Sequence, residues 1–132
     1  MRRLVTFAVL VPLAAGCGSG GHTTSVRGVA GSPVQRWIDV EHLPTKAIPG
    51  ARLFESAGCT VCHTYAGSGT TVLNAPPLTS IGKRHLGVQF QIAHLKCPAC
   101  VNPGSPMPPS KSLGEARLRA LAVFLEASKG TH

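Results

Sequence analysis

With 132 residues the chain has room for one domain of modest core plus a tail, and 15 Gly with 11 Pro against 14% charged residues predict few regular elements joined by long loops. A formal net charge of +8 suits nucleic acid, an anionic membrane or an acidic protein partner. Nucleic acid is set aside, because beyond the leading Arg2-Arg3 the cations are scattered singly apart from Lys83-Arg84, and an aromatic content of 5% leaves little for stacking bases.

Met1-Arg2-Arg3 followed by the largely apolar stretch 4–15 has the form of a signal peptide, since the apolar run is too short to cross a bilayer as a mature helix. The "LAAGC" that follows resembles the bacterial lipoprotein box, although Ala14 stands three places before the cysteine where that pattern prefers Leu. The resemblance implies a lipoprotein-type signal over 1–16, lipidation of Cys17, and an exported bacterial protein in the periplasm or on the outer face of the cytoplasmic membrane. Ordinary signal cleavage near Gly16 is the alternative. "GSGGHTTS" reads as a flexible spacer, so residues 17–46 are expected to be tether and linker before a domain over 47–130. Within that linker Val34, Trp37 and Ile38 fall at i, i+3 and i+4, one helical turn that could lie on the domain with Trp37 as an apolar cover.

Three helices are predicted next. The first covers about 50–57, with Leu53, Phe54 and Ala57 on one side, and runs into Gly58. The second covers about 87–96, with Val88, Ile92 and Leu95 on one stripe, and stops before Pro98. The third opens with Ser112-Leu113-Gly114-Glu115, which reads as a capping box, repeats Leu118, Leu121, Ala122 and Leu125 at helical spacing, and closes at Lys129-Gly130. No convincing alternating strand pattern is present, so the expected class is all-α with long loops.

"CTVCH", residues 59–63, carries the chemistry. Two cysteines three positions apart can reach the two vinyl groups of one haem edge, and the adjacent histidine is then directed at the iron, so Cys59, Cys62 and His63 are candidate attachment points and proximal ligand. An export signal agrees with this, because such attachment happens outside the cytoplasm. Two rivals are weighed. A zinc site would use Cys59, Cys62, Cys97 and Cys100, but it leaves His63 idle and spans a helix. A thioredoxin-like thiol pair wants a βαβ context that the pattern lacks.

A six-coordinate haem needs a second axial ligand. Met107 is the sole methionine after Met1 and lies in "NPGSPMPPS", where prolines fix φ and remove amide donors, making a stiff loop able to hold a thioether against iron. A gap-filling core methionine is the alternative. His85 and His94 are further possible ligands, each read more simply as a solvated or hydrogen-bonding surface group.

Taken in order, "GARLFESAGCTVCH", "PPLTSIGKR", the middle helix, "PGSPMPP" and "LGEARLRALAVFLEAS" resemble a class I cytochrome c over about residues 50–129. The resemblance implies a cytochrome c-like fold, three main helices with long loops around one covalently bound haem c, and His63/Met107 ligation. It implies that the first helix crosses the last through Gly50, Phe54, Leu121 and Phe124. It further implies that the Pro76 carbonyl, or that of Pro77, accepts the ring N–H of His63, that Leu78 lines the pocket, and that Arg84 meets a haem propionate. The function implied is one-electron transfer between respiratory-chain components by a monomer that is not an enzyme. Arg52, Lys83, Arg84, Lys96 and Lys111 lie close in sequence to the haem-contacting segments and read either as a positive rim for the acidic oxidase or reductase surface of a redox partner or as a solvated basic face, and a lipid anchor would hold the protein to a membrane. A five-coordinate haem enzyme or sensor, and a thiol or zinc module without haem, are the alternatives. "CPAC" departs from the family. With one cysteine assigned to lipid and two to haem, Cys97 and Cys100 are expected to pair with each other, a bridge worth only about 2 kcal/mol for so small a loop. It reads as a structural clip for the methionine loop, with a thiol switch as the other reading.

Overall fold

A computed structural model describes residues 32–130. The signal segment, Cys17 and its spacer therefore lie outside the described residues. Among the described residues five helices run in chain order: α1 (Pro33–Val40), α2 (Ile48–Ser56), α3 (Val88–Lys96), α4 (Pro98–Val101) and α5 (Glu115–Ala127). Tight 3-10 turns at Thr45–Ala47, Cys59–Val61, Ile81–Arg84 and Lys111–Leu113 join them, and no strand occurs among the described residues beyond one isolated bridge between Tyr65 and Ser68. The described residues are thus helical and without regular strands, as the all-α class requires.

The three predicted helices are present with shifted ends. Helix α2 starts two residues early because Pro49 sits in its first turn, where a missing N–H costs nothing, instead of ending the preceding loop. It stops at Gly58, which takes the left-handed conformation (φ 76°) and donates to Glu55 O at 3.1 Å. The motif cysteines follow at once.

The expected capping box does not form. A box needs serine at the N-cap and glutamate three residues later, but Gly114 occupies the N-cap at φ 79° and breaks the helical path between Ser112 and Glu115. Ser112 stays in the preceding 3-10 turn, and the Glu115 carboxylate pairs with Lys96 instead. The far end differs too. Helix α5 ends at Ala127, and Lys129 donates through Nζ to Gly82 O while Lys83 Nζ reaches Gly130 O at 3.2 Å. Those bonds, with Gly82 N–H to Ser128 O at 2.8 Å, tie the C-terminal residues to the Ile81–Arg84 turn.

Helices α2 and α5 form the central crossing. An ideal Cβ on Gly50 would lie 2.1 Å from Ala120 O and 2.6 Å from Phe124 Cβ, so only glycine permits this approach. Around it Phe54 and Phe124 meet at 5.4 Å between ring centroids, and Tyr65 meets Phe124 at 4.8 Å.

Helix α1, inside the stretch assigned to the tether, completes this cluster. Trp37 is fully buried, 5.1 Å from Tyr65 and 6.0 Å from Phe54 in edge-on geometry, and its indole N–H donates to Ser68 Oγ at 3.1 Å. Arg36 of the same helix donates to Ala66 O and to Ser68 Oγ. From Pro33 onward the chain belongs to the folded unit, with Trp37 inside its core and not merely covering it.

Tyr65, the chain's one tyrosine, is fully buried and hydrogen-bonded to Ser128 Oγ at 3.0 Å. Burial pushes its phenol up to about 12, the Ser128 hydrogen bond acts in the opposite sense, and the Glu41 charge adds to the rise. Because the folded value lies above the unfolded one of about 10, the stability held in the neutral phenol is complete below pH about 10. It is lost as pH climbs through about 12. An ultraviolet titration should accordingly find no tyrosinate near pH 10 while the helical circular dichroism persists, and ionisation at that pH with the fold intact would contradict the burial.

Candidate functional site

Beside the aromatic cluster, α3, α4 and the loops on either side of them enclose a cavity of about 560 Å³. Cys59, Cys62 and His63 line one part of it, just beyond α2. Pro76 and Leu78 come from the following loop, Arg84 from the last position of the Ile81–Arg84 turn, and Met107 from the loop between α4 and α5. All seven residues read from the sequence as haem-contacting thus share one cavity. Phe54, Leu121 and Leu125 close its inner side, so the wall is continuous with the core.

Local bonding fixes the motif. The turn after Gly58 is closed by Val61 N–H to Gly58 O at 3.1 Å, and both Cys62 N–H (3.2 Å) and His63 N–H (3.0 Å) donate to Cys59 O. His63 Nδ1 stands 2.9 Å from Pro76 O. A carbonyl can only accept, so Nδ1 carries a proton, and in the neutral ring this leaves the Nε2 lone pair available to a metal. Of the two adjacent prolines it is Pro76 that supplies this acceptor and lines the cavity.

Both motif cysteines are free and half-buried. Burial pushes the Cys59 thiol up to about 11, against a backbone hydrogen bond that lowers it, and Cys62 adds to the rise. A neutral thiol at pH 7 is the opposite of the lowered thiol that redox pairs use. The zinc reading loses half its ligands, because Cys97 and Cys100 are joined in a disulfide with Cα atoms 5.2 Å apart. Among the described residues no group of three or more His, Cys, Asp or Glu side chains could hold a metal ion.

Met107 is partly buried against the core, flanked by Pro106 and Pro108, which also line the cavity. Its amide donates to Ser105 Oγ at 3.3 Å, and Ser110 N–H to Leu95 O at 2.7 Å ties the loop's end to α3. The donor set fits a haem: two free thiols and an imidazole oriented by Pro76, a thioether, apolar walls, and one guanidinium among them.

His94 joins this wall and His85 does not. His94 stacks on Phe90 with centroids 6.3 Å apart, and desolvation, with His63 adding, holds its imidazole below the ordinary value. Gln91, buried and donating to Glu126 Oε1 at 2.9 Å, lines the cavity as well. Sequence reasoning passed over Phe90, Gln91, Val101 and Asn102 as cavity residues. Gln91, His94 and Leu95 fall at i, i+3 and i+4, a stripe adjoining the predicted apolar one, but its polar members look like a solvated face.

Fold and site together define a small all-α protein whose core opens into an apolar cavity with two thiols, an imidazole and a thioether in its wall. Compared with family models, curated proteins and solved structures, the chain matches none.

Proposed function

We propose that residues 33–130 are a class I c-type cytochrome domain carrying one haem c, and that its task is to shuttle single electrons outside the cytoplasm. The observation that supports this most is the convergence of Cys59, Cys62, His63, Pro76, Leu78, Arg84 and Met107 on one cavity, with the His63–Pro76 hydrogen bond already made. Bound there, haem supplies reversible one-electron exchange between ferrous and ferric iron.

Each residue has a separate duty. Cys59 and Cys62 would hold the haem through thioether bonds. His63, oriented by Pro76, and Met107, held in its proline loop, would be the side chains that ligate the iron. A haem so held would leave no position for oxygen or a small substrate, so the domain would carry electrons and not catalyse. A thioether opposite imidazole also raises the potential relative to two imidazoles. Phe54, Leu78, Leu121 and Leu125 exclude water from the same space, and Arg84 is suited to a propionate.

Arg52, Lys83, Arg84 and Lys111 are exposed and suit an acidic oxidase or reductase surface, whereas Lys96 is engaged by Glu115. Among the described residues no helix is long and apolar enough to cross a membrane; the attachment proposed is a lipid on Cys17, on the resemblance of "LAAGC" to the lipoprotein box. Tethering raises the concentration near a membrane-bound partner without a new contact.

Export from a cell that attaches haem to such motifs tests the reading. The wild-type chain should keep its pigment through acid–acetone extraction and stain for haem on a denaturing gel. Cys59→Ala combined with Cys62→Ala should lose both signals, and a colourless wild-type protein would overturn the proposal.

A further inference from the structure

The electron-carrier reading leaves the Cys97–Cys100 disulfide without a chemical task. Closed across Pro98 and Ala99 alone, it constrains the unfolded chain little, so stability is a poor reason for it. Its setting favours chemistry. Cys100 is exposed on α4 while Cys97 is half-buried at the end of α3, so an incoming thiolate reaches one sulfur more readily than the other. The turn is also held without sulfur: Cys97 N–H donates to Ala93 O (3.0 Å), Cys100 N–H to Cys97 O (3.0 Å) and Asn102 N–H to Pro98 O (2.8 Å), and Pro98 is buried. Opening the bridge therefore leaves a turn held by these three amide bonds alone, looser than before yet with two thiols near enough to close again as an intramolecular pair.

The position gives the bridge a consequence. Val101 and Asn102 carry the cavity wall from α4 toward Met107, and the segment is next pinned to α3 by Ser110 N–H to Leu95 O (2.7 Å). Between these two fastenings the loop is built of Gly and Pro turns.

We infer that Cys97–Cys100 is a thiol–disulfide exchange site that accepts two electrons from an exported dithiol protein, and that its redox state sets the freedom of residues 97–110. The reductant's thiolate attacks Cys100 Sγ, the Cys97–Cys100 bond breaks, and Cys97 leaves as a thiolate that takes up a proton. The reductant's second thiol, deprotonated, then attacks its own partner sulfur in the mixed disulfide, and Cys100 leaves and is protonated. The dithiol ends as a disulfide, and this chain has gained two electrons and two protons. The exchange needs no haem; its effect on iron ligation through Met107 rests on the electron-carrier reading.

The test uses the full mature chain under native conditions, with thiols mapped by peptide so that Cys59 and Cys62 are counted apart. Dithiothreitol should reduce the wild-type bridge with the helical circular dichroism retained, speed hydrogen exchange over 98–110, and leave 48–56 unchanged. In single variants, Cys100 of Cys97→Ser should react with an aromatic disulfide reagent about tenfold faster than Cys97 of Cys100→Ser, because access governs the rate. A bridge that resists dithiothreitol until denaturant unfolds the chain, equal rates for the two thiols, or exchange unaltered at 98–110 would overturn the site. A colourless protein with the expected thiol rates would sink the electron-carrier reading and leave this one standing.

Discussion

Gly50→Ala is expected to destabilise the fold by about 3 kcal/mol or more, where helix propensity taken alone would stabilise it by up to about 1 kcal/mol. The two effects have opposite signs, which makes the substitution decisive. Gly50 lies inside α2, so a methyl group would lower the entropy lost on folding. That methyl would stand 2.1 Å from Ala120 O and 2.6 Å from Phe124 Cβ, and neither a helix carbonyl nor a Cβ can swing aside. The helices must separate instead, opening the contacts of Phe54 and Tyr65 with Phe124. Overpacking of a close-packed core usually costs about 1–3 kcal/mol; the upper end applies here because backbone on one helix meets backbone on the other. Against a total stability of about 5–15 kcal/mol the loss is large. Chemical denaturation of wild type and variant measures it, and a variant as stable as the wild type would mean that the crossing is not as close as described.

That crossing was anticipated only through the family resemblance, whereas other parts carried a signal of their own. Cys59, Cys62 and His63 announce themselves because the chemistry is written in local spacing, and Met107 because prolines on both sides restrict the backbone whatever the tertiary context. Pro76 and Arg84 were reached through the family resemblance, not through any physical signal of their own. Helix α1 was foreseen as one turn when it has 8 residues and delivers a fully buried tryptophan. Val34, Trp37 and Ile38 marked an apolar face, but what that face packs against is Phe54 and Tyr65, distant in the chain, so a window of sequence around Trp37 shows the face without showing how deeply it is buried. Ser112 misled because the box pattern is defined by residue type, while Gly114 with φ 79° decides where the helix starts. Likewise α3 shows its core stripe plainly, yet the neighbouring stripe of Gln91 and His94 turns to a cavity that exists only once the loops around 76 and 107 have closed over it.

Met107→Ala in the haem-loaded protein should abolish the weak long-wavelength ferric band of thioether ligation, lower the reduction potential by on the order of 100 mV, and let carbon monoxide bind at neutral pH. Removing the side chain deletes the one thioether lining the cavity among the described residues, and Cys97 and Cys100 are tied to each other. One residue could take its place. His94 lines the same cavity, and desolvation holds its imidazole below the ordinary value, so at neutral pH it presents an unprotonated ring. Its ring, however, is stacked on Phe90 at 6.3 Å and carried on α3, whose Leu95 and Ile92 are buried. Moving it to iron would draw that helix off its packing against α5, so the open site should win and carbon monoxide should bind. The pairing of Met107→Ala with His94→Ala checks this, because the double variant should bind carbon monoxide no better than the single one. A gain on adding His94→Ala would show the histidine capturing iron in the single variant. Carbon monoxide binding by the wild type would instead mean that Met107 does not ligate, and the chain would then be a haem sensor or enzyme in place of an electron carrier.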